Sequence, residues 1–84
     1  MKLRFTQRGR RHRIGATHAA YLAEHYSPTP CESPQGNVAL WWEGEDETGR
    51  RLEMMVLPTL LSSDPLRPKE GLIIHLMPTA LRKN

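Results

Sequence analysis

Hydrophobic and polar positions follow two different periods in the N-terminal third of this 84-residue chain. In residues 2–7, Leu3 and Phe5 alternate with polar neighbours, which predicts a short edge strand with charge on its exposed side. The spacing then becomes helical between Ile14 and Tyr26. The stripe along this helix consists of Ile14, His18, Tyr21, Leu22 and His25.

Residues 27–37 contain three prolines and are predicted to be an irregular connection. Residues 37–43 and 50–57 then form two predicted strands, with Leu52, Met54 and Val56 on one face of the second. The acidic turn between them contains a glycine, which is typical of a β-hairpin. Glu43 at the end of one strand faces either Arg50 or Arg51 of the other in this arrangement.

A third predicted strand covers residues 72–77, which are apolar enough to be central, and residues 78–83 form one helical turn. Short connections cannot make parallel crossovers, so the meander of three strands is predicted to be antiparallel. The expected fold is therefore α+β. It has the order β-α-β-β-β, with the meander and the N-terminal edge strand packed on one helix.

Length and composition restrict the class of protein. A chain of 84 residues forms a single domain, residues 1–84, with a thin core. Its one cysteine, Cys31, excludes an internal disulfide, and its longest apolar run is too short to span a bilayer. No apolar run follows the basic N-terminus, so a secretory signal is not expected. We expect a cytoplasmic protein with no membrane association, assisted by a partner in a homo- or hetero-oligomer.

The net charge of +3 conceals an uneven distribution. Residues 1–13 carry six of the 12 basic residues and no acid, so the remaining chain has six basic and nine acidic residues. This basic N-terminal arm is either a solvated terminus or a contact for nucleic acid or an acidic partner, and guanidinium groups suit phosphate. The candidate nucleic-acid-binding residues are Arg4, Arg8, Arg10, Arg11 and Arg13.

The chain contains four histidines, His12, His18, His25 and His75. His18 and His25 lie two helical turns apart, too far to share one metal ion, so neither a metal site nor a cofactor is predicted. By alternation, His75 shares a strand face with Ile73 and Met77. It is either a satisfied core or interface histidine or an acid, base or phosphate contact, since histidine exchanges protons near neutral pH.

Cleavage of RNA without a metal needs a base for the ribose 2′-hydroxyl, cations for the phosphorus centre and an acid for the leaving oxygen. Histidine and arginine supply these groups. Trp41 and Trp42 are adjacent in a predicted strand, so one indole enters the core and the other faces outward, where it covers an interface or stacks on a base.

Two runs, Glu45-Asp46-Glu47-Thr48-Gly49-Arg50-Arg51-Leu52-Glu53 and Ile73-Ile74-His75-Leu76-Met77-Pro78-Thr79-Ala80-Leu81-Arg82, resemble small bacterial proteins similar to the BrnT and RelE-like toxins of toxin–antitoxin pairs. The resemblance implies an α/β domain with an antiparallel sheet that cleaves RNA without metal and is neutralised by an antitoxin. The catalytic residues that it implies are His75, Arg50, Arg51 and Arg82.

The function expected is that of a toxin-like ribonuclease or RNA-binding protein held inactive by an antitoxin. Two alternatives remain open: a non-enzymatic interaction module, or a nucleic-acid binder that acts through the arm alone. The roles of Cys31 and of the tryptophan pair also remain open.

Overall fold

The computed structural model describes residues 1–6 and 15–82. These residues form a five-stranded sheet with one α-helix packed on one of its faces. Proline and glycine residues lie in the connections between these elements. The elements are β1 (Lys2–Phe5), α1 (Ala16–His25), β2 (Thr29–Glu32), β3 (Val38–Glu45), β4 (Arg51–Leu60), β5 (Glu70–Pro78) and a 3-10 helix (Thr79–Arg82).

The strand order across the sheet is β1-β5-β4-β3-β2, which confirms the α+β class and the antiparallel meander β3-β4-β5. The N-terminal strand lies at an edge as expected, but it pairs with β5 in parallel, so the sheet is mixed. The prediction that residues 27–37 are irregular was wrong for Thr29–Glu32, which form β2 against β3. Pro30 lacks an N–H donor, and an edge strand tolerates that loss because only one of its sides is paired.

The hydrophobic core lies between α1 and one face of the sheet. Leu52, Met54 and Val56 of β4 all point into it and are fully buried, as their alternation predicted. The predicted helix stripe was only partly right, because the residues of α1 that enter the core are Ala19, Leu22 and Ala23. Ile14, the first residue of that stripe, lies outside the described residues. The two small alanines bring the helix close to the sheet, whereas the larger Tyr21 and His25 stack on each other at its flank.

A bulge in β5 decides which way His75 points. Met55 pairs with His75 and Val56 pairs with Ile73, so Ile74 is an extra residue on β5. Ile73 is fully buried in the core, while His75 lies on the opposite face. The prediction that His75 shares a face with Ile73 was therefore wrong, since simple alternation assumes an unbroken ladder; its shared face with Met77 is retained.

Tyr26 joins the end of α1 to β3. Its carbonyl accepts a hydrogen bond from Trp42 Nε1 at 3.0 Å, and its hydroxyl accepts one from the Glu45 backbone N–H at 3.0 Å. The ring lies directly over Gly44, where a Cβ atom would come within 2.6 Å of it.

Trp42 is fully buried beside Tyr26 and Trp41 is only partly buried, which confirms that the two indoles take opposite faces.

Candidate functional site

Polar and aromatic side chains gather on the sheet face opposite α1, which we call the distal face. Because side chains alternate along a strand, the buried Leu52 and Met54 place Arg51 and Glu53 on this face. The cross-strand pairing of Glu43 with Glu53 and of Met55 with His75 extends the face over β3 and β5. The distal face therefore carries the candidate chemistry of the sheet.

His75 and Glu53 form the centre of this face. The Nε2 atom of His75 donates a hydrogen bond to Oε2 of Glu53 at 2.7 Å. The Glu53 side chain is only 2% exposed, whereas the His75 side chain is 36% exposed. A buried carboxylate thus fixes the orientation of an imidazole that remains accessible to a ligand.

The tautomer set by this hydrogen bond determines which ring nitrogen of His75 can accept a proton. With the hydrogen on Nε2, the neutral imidazole carries an acceptor lone pair on Nδ1. Among residues 1–6 and 15–82, no hydrogen bond engages that Nδ1 atom. His75 is therefore arranged as a proton acceptor whose partner on the other side of the ring is an acid.

Trp41 lies beside the imidazole. The two ring centroids are 5.8 Å apart and the planes are inclined by 16°, which is a stacked arrangement. The indole Nε1 donates to Oε1 of Glu43 at 3.4 Å. The indole thus restricts the rotation of His75 and presents a partly exposed aromatic surface next to it.

Two glutamates stand directly opposite each other on this face, since Glu43 of β3 pairs with Glu53 of β4. Like charges in such a pair are destabilising unless they are compensated. Here Arg51 Nε lies 3.6 Å from Glu43 Oε2, and Glu53 accepts the hydrogen bond from His75. Of the two arginines expected opposite Glu43, the structure thus selects Arg51.

The candidate catalytic residues do not all meet at one place. His75 and Arg51 share the distal face, but Arg50 lies at the hairpin tip, with its Nε atom 3.5 Å from Asp46 Oδ2. Arg82 ends the 3-10 helix that follows β5, and its side chain is outside the described part of the structure. The structure therefore places two of the four predicted residues on one face, where they have different partners, Glu53 for His75 and Glu43 for Arg51.

The basic arm is only partly described. Arg4 is exposed on β1, where it pairs with Leu72 of β5. The neighbouring Leu3 and Phe5 pack against the core, so the first residues of the arm belong to the sheet. The other predicted arm residues lie outside the described residues, and these are Arg8, Arg10, Arg11 and Arg13.

Sequence reasoning missed Glu53 as a site residue. Its signal was present, because an acid interrupts the apolar run of β4 between Leu52 and Met54. The β3–β4 register puts it opposite Glu43, and the bulge at Ile74 puts His75 on the same face within its reach. The sequence carries no pattern that marks this bulge. The sequence therefore predicted His75 and Arg51 of this site but not Glu53.

A second polar cluster lies at the tip of the β3–β4 hairpin. Asp46 Oδ1 accepts hydrogen bonds from the Thr48 hydroxyl at 2.7 Å and from the backbone N–H groups of Thr48 and Arg50 at 2.9 and 3.0 Å. Loss of hydration would raise the pKa of Asp46, but these hydrogen bonds and the Arg50 charge outweigh it and lower the pKa to about 2. Asp46 is therefore a carboxylate at neutral pH.

No protein-family model, curated protein or solved structure matches the chain. Within the described residues, no helix is long and apolar enough to cross a membrane.

Proposed function

We propose that the protein is a toxin-like ribonuclease that cleaves RNA without a metal ion at the distal face. The observation that carries this proposal is the hydrogen bond between the accessible imidazole of His75 and the buried carboxylate of Glu53. A histidine oriented by a buried acid and carrying an open ring nitrogen is suited to act as a general base. Glu53 is a positioning residue in this scheme, because it acts through His75.

The reaction requires one proton transfer at the ribose. His75 Nδ1 takes the proton of the 2′-hydroxyl, and the 2′ oxygen forms a bond to phosphorus. The bond between phosphorus and the 5′ oxygen breaks, and water protonates the leaving oxygen. The products are a 2′,3′-cyclic phosphate and a free 5′-hydroxyl, so no oxidant or cofactor is needed.

Arg51 and Trp41 give this face two further means of binding RNA. The Arg51 side chain is 56% exposed and lies beside Glu43 on the same face as His75, so it can pair with a phosphate of the bound RNA instead. The exposed part of the Trp41 indole offers a stacking surface for a base beside His75. Outside the described residues, the arginines of the arm supply positive charge that attracts the RNA backbone.

A ribonuclease of this kind must be restrained inside the cell that makes it. The partner that fits the proposal is an antitoxin protein that covers the distal face. Expression of the chain alone should then arrest bacterial growth, and His75→Ala should relieve the arrest. Equal arrest by the parent and by His75→Ala would show that His75 is not catalytic. Normal growth with both would show that the protein is not a toxin.

Purified protein tests the chemistry directly. The substrate is a DNA oligonucleotide with a single ribonucleotide, incubated in the presence of EDTA, with the all-DNA oligonucleotide as control. We expect cleavage at the ribonucleotide alone, and a product ending in a cyclic phosphate. His75→Ala should slow cleavage by a factor of about 100 or more, the usual contribution of a general base.

His25→Ala is the matched control, because it removes an exposed histidine of α1 that lies away from the distal face. It should cleave at the parental rate. Absence of cleavage by the parent protein, or equal rates for the parent and His75→Ala, would contradict the proposal. Binding of RNA without cleavage would favour the arm-only nucleic-acid binder instead.

A non-enzymatic interaction module is the second candidate, and an apolar groove favours it. Val38 and Leu61 are 75% and 68% exposed, and both line this groove with Leu40, Pro58 and Pro65. Sedimentation of the purified chain tests the idea. It predicts a dimer that Leu61→Ser converts to monomer, whereas a parent that sediments as a monomer would exclude self-association through this groove.

A further inference from the structure

We infer that His18, Asp46 and Glu47 form a zinc site that ties α1 to the β3–β4 hairpin. The three residues come from two separate parts of the chain, since His18 lies on α1 and the two acids lie at the hairpin tip. One ligand atom from each lies within 4.8 Å of the others. The site is independent of the proposed ribonuclease function, because no residue of it lies on the distal face.

The distances between these atoms already approach those around a bound zinc ion. His18 Nδ1 is 3.0 Å from Glu47 Oε1 and 3.5 Å from Asp46 Oδ2. Two ligands that each lie about 2.1 Å from zinc at a tetrahedral angle are separated by about 3.4 Å. The Asp46 and Glu47 atoms lie within 4.8 Å of each other, and rotation of the partly exposed Glu47 side chain can bring them to this separation.

The buried oxygen of Asp46 is the independent sign of a ligand. The Asp46 side chain is fully buried, and its Oδ2 atom has no hydrogen bond among the described residues. Its other oxygen, Oδ1, holds three hydrogen bonds, which fix the carboxylate so that Oδ2 points towards His18. A buried carboxylate oxygen without a hydrogen bond is costly unless a cation compensates it, and here the half-exposed Arg50 guanidinium at 3.5 Å supplies positive charge without donating a hydrogen bond.

The chemistry of the donors selects zinc among the common ions. One imidazole and two carboxylates are ligands that zinc accepts, whereas calcium prefers six to eight oxygens. The His18 and Glu47 side chains are 27% and 35% exposed, so water can reach the remaining coordination position. A divalent ion would also neutralise the two carboxylates.

Arg50 competes with the ion for Asp46. Its Nε atom lies 3.5 Å from Asp46 Oδ2, and 47% of its side chain is exposed. The guanidinium can therefore turn into solvent when zinc binds. Removal of this charge by Arg50→Gln should tighten zinc binding, which is the opposite of the effect expected from a ligand variant.

Thermal unfolding of the tag-free full chain tests the site. Zinc at about ten times its Kd should raise the midpoint by about 5 °C or more relative to the same protein in EDTA. His18→Ala should lose that rise and His25→Ala should keep it. Because each variant is compared with itself in EDTA, a variant of lower stability still gives a valid difference.

Cobalt supplies the second measurement, because its visible absorption reports the geometry of coordination. We expect saturation at one equivalent of Co²⁺ per chain with a tetrahedral spectrum, lost in His18→Ala and in Asp46→Asn. Failure of zinc to stabilise the parent would overturn the inference. Equal zinc stabilisation of the parent and His18→Ala would also overturn it, since the ion would then bind elsewhere, for example at the arm.

Discussion

The Nε2 atom of His75 lies 2.7 Å from Oε2 of Glu53, and the glutamate is buried while the histidine is not. The fold creates this relationship through a bulge at Ile74, which turns His75 away from the core. A regular strand would have placed the imidazole beside Ile73 in the core under α1. The position of a single extra residue therefore determines whether the sheet presents a reactive group.

The coupling between these two residues is measurable in stability. We expect His75→Ala and Glu53→Ala each to lower the free energy of unfolding by about 2 kcal/mol. His75→Ala takes this hydrogen bond from the buried Glu53 carboxylate, and Glu53→Ala removes the same bond and leaves a void where the buried side chain stood. The double variant should cost little more than either single one, with a coupling energy of about 1–3 kcal/mol. Urea unfolding of the four proteins gives this cycle. Strictly additive losses would show that the pair is not energetically linked.

The adjacent tryptophans should respond differently to the same substitution. Trp42→Phe removes the hydrogen bond to the Tyr26 carbonyl and leaves a void in the core, so stability should fall by about 2 kcal/mol. Trp41→Phe keeps a ring beside His75 and should cost less than about 1 kcal/mol. Urea denaturation with circular dichroism compares the two. A larger loss for Trp41→Phe would contradict the assignment of faces.

The contact between Tyr26 and Gly44 leaves no room for a side chain at position 44 of β3. Gly44→Ala places a methyl group against the Tyr26 ring and should displace the hydroxyl from the Glu45 N–H, at a cost of about 1–3 kcal/mol. Gly15→Ala is the control, since among residues 1–6 and 15–82 no atom beyond its chain neighbours lies within 4 Å of its new Cβ, and we expect less than about 1 kcal/mol there. Thermal unfolding of both variants measures the difference in stability. Equal stabilities would show that Tyr26 moves aside freely.

The arm should govern the salt dependence of RNA binding. Deletion of residues 1–13 is not a clean test, because Leu3 and Phe5 pack on the core. Substitution of the four arginines Arg8, Arg10, Arg11 and Arg13 by glutamine leaves β1 intact. If each contacts a phosphate, the slope of log K against log salt should become shallower by about 3 for single-stranded RNA. Fluorescence anisotropy at several salt concentrations measures it, and an unchanged slope would show that the arm does not bind phosphate.

Local patterns in the sequence predicted much of the fold. Alternation placed Leu52, Met54 and Val56 in the core, and the glycine-containing acidic turn predicted the hairpin. The edge strand β2 was not predicted, because four residues with a proline pair only through the backbone and leave no apolar pattern. The parallel pairing of β1 with β5 was also invisible, since it joins segments almost seventy residues apart.

The candidate sites depend on features that spacing does not encode. His75 and Arg51 were recognised by residue type, but Glu53 joins them only through strand register. His18 and Asp46 approach each other because α1 packs across the sheet beside the hairpin tip. A search for closely spaced ligands along the chain cannot find such a pair, and we accordingly predicted no metal site from the sequence.

The most direct test of the central claim is to map where RNA binds. A short 2′-O-methyl RNA has no free 2′-hydroxyl, so it can bind without being cleaved, and its contacts can be followed by NMR in isotope-labelled protein. We predict that the largest shift changes fall on the His75 imidazole and the Trp41 indole, with smaller ones at Arg51 and Glu53 and none on α1. Changes confined to the arm, with His75 and Trp41 unmoved at saturation, would contradict the assignment of the distal face as the RNA site.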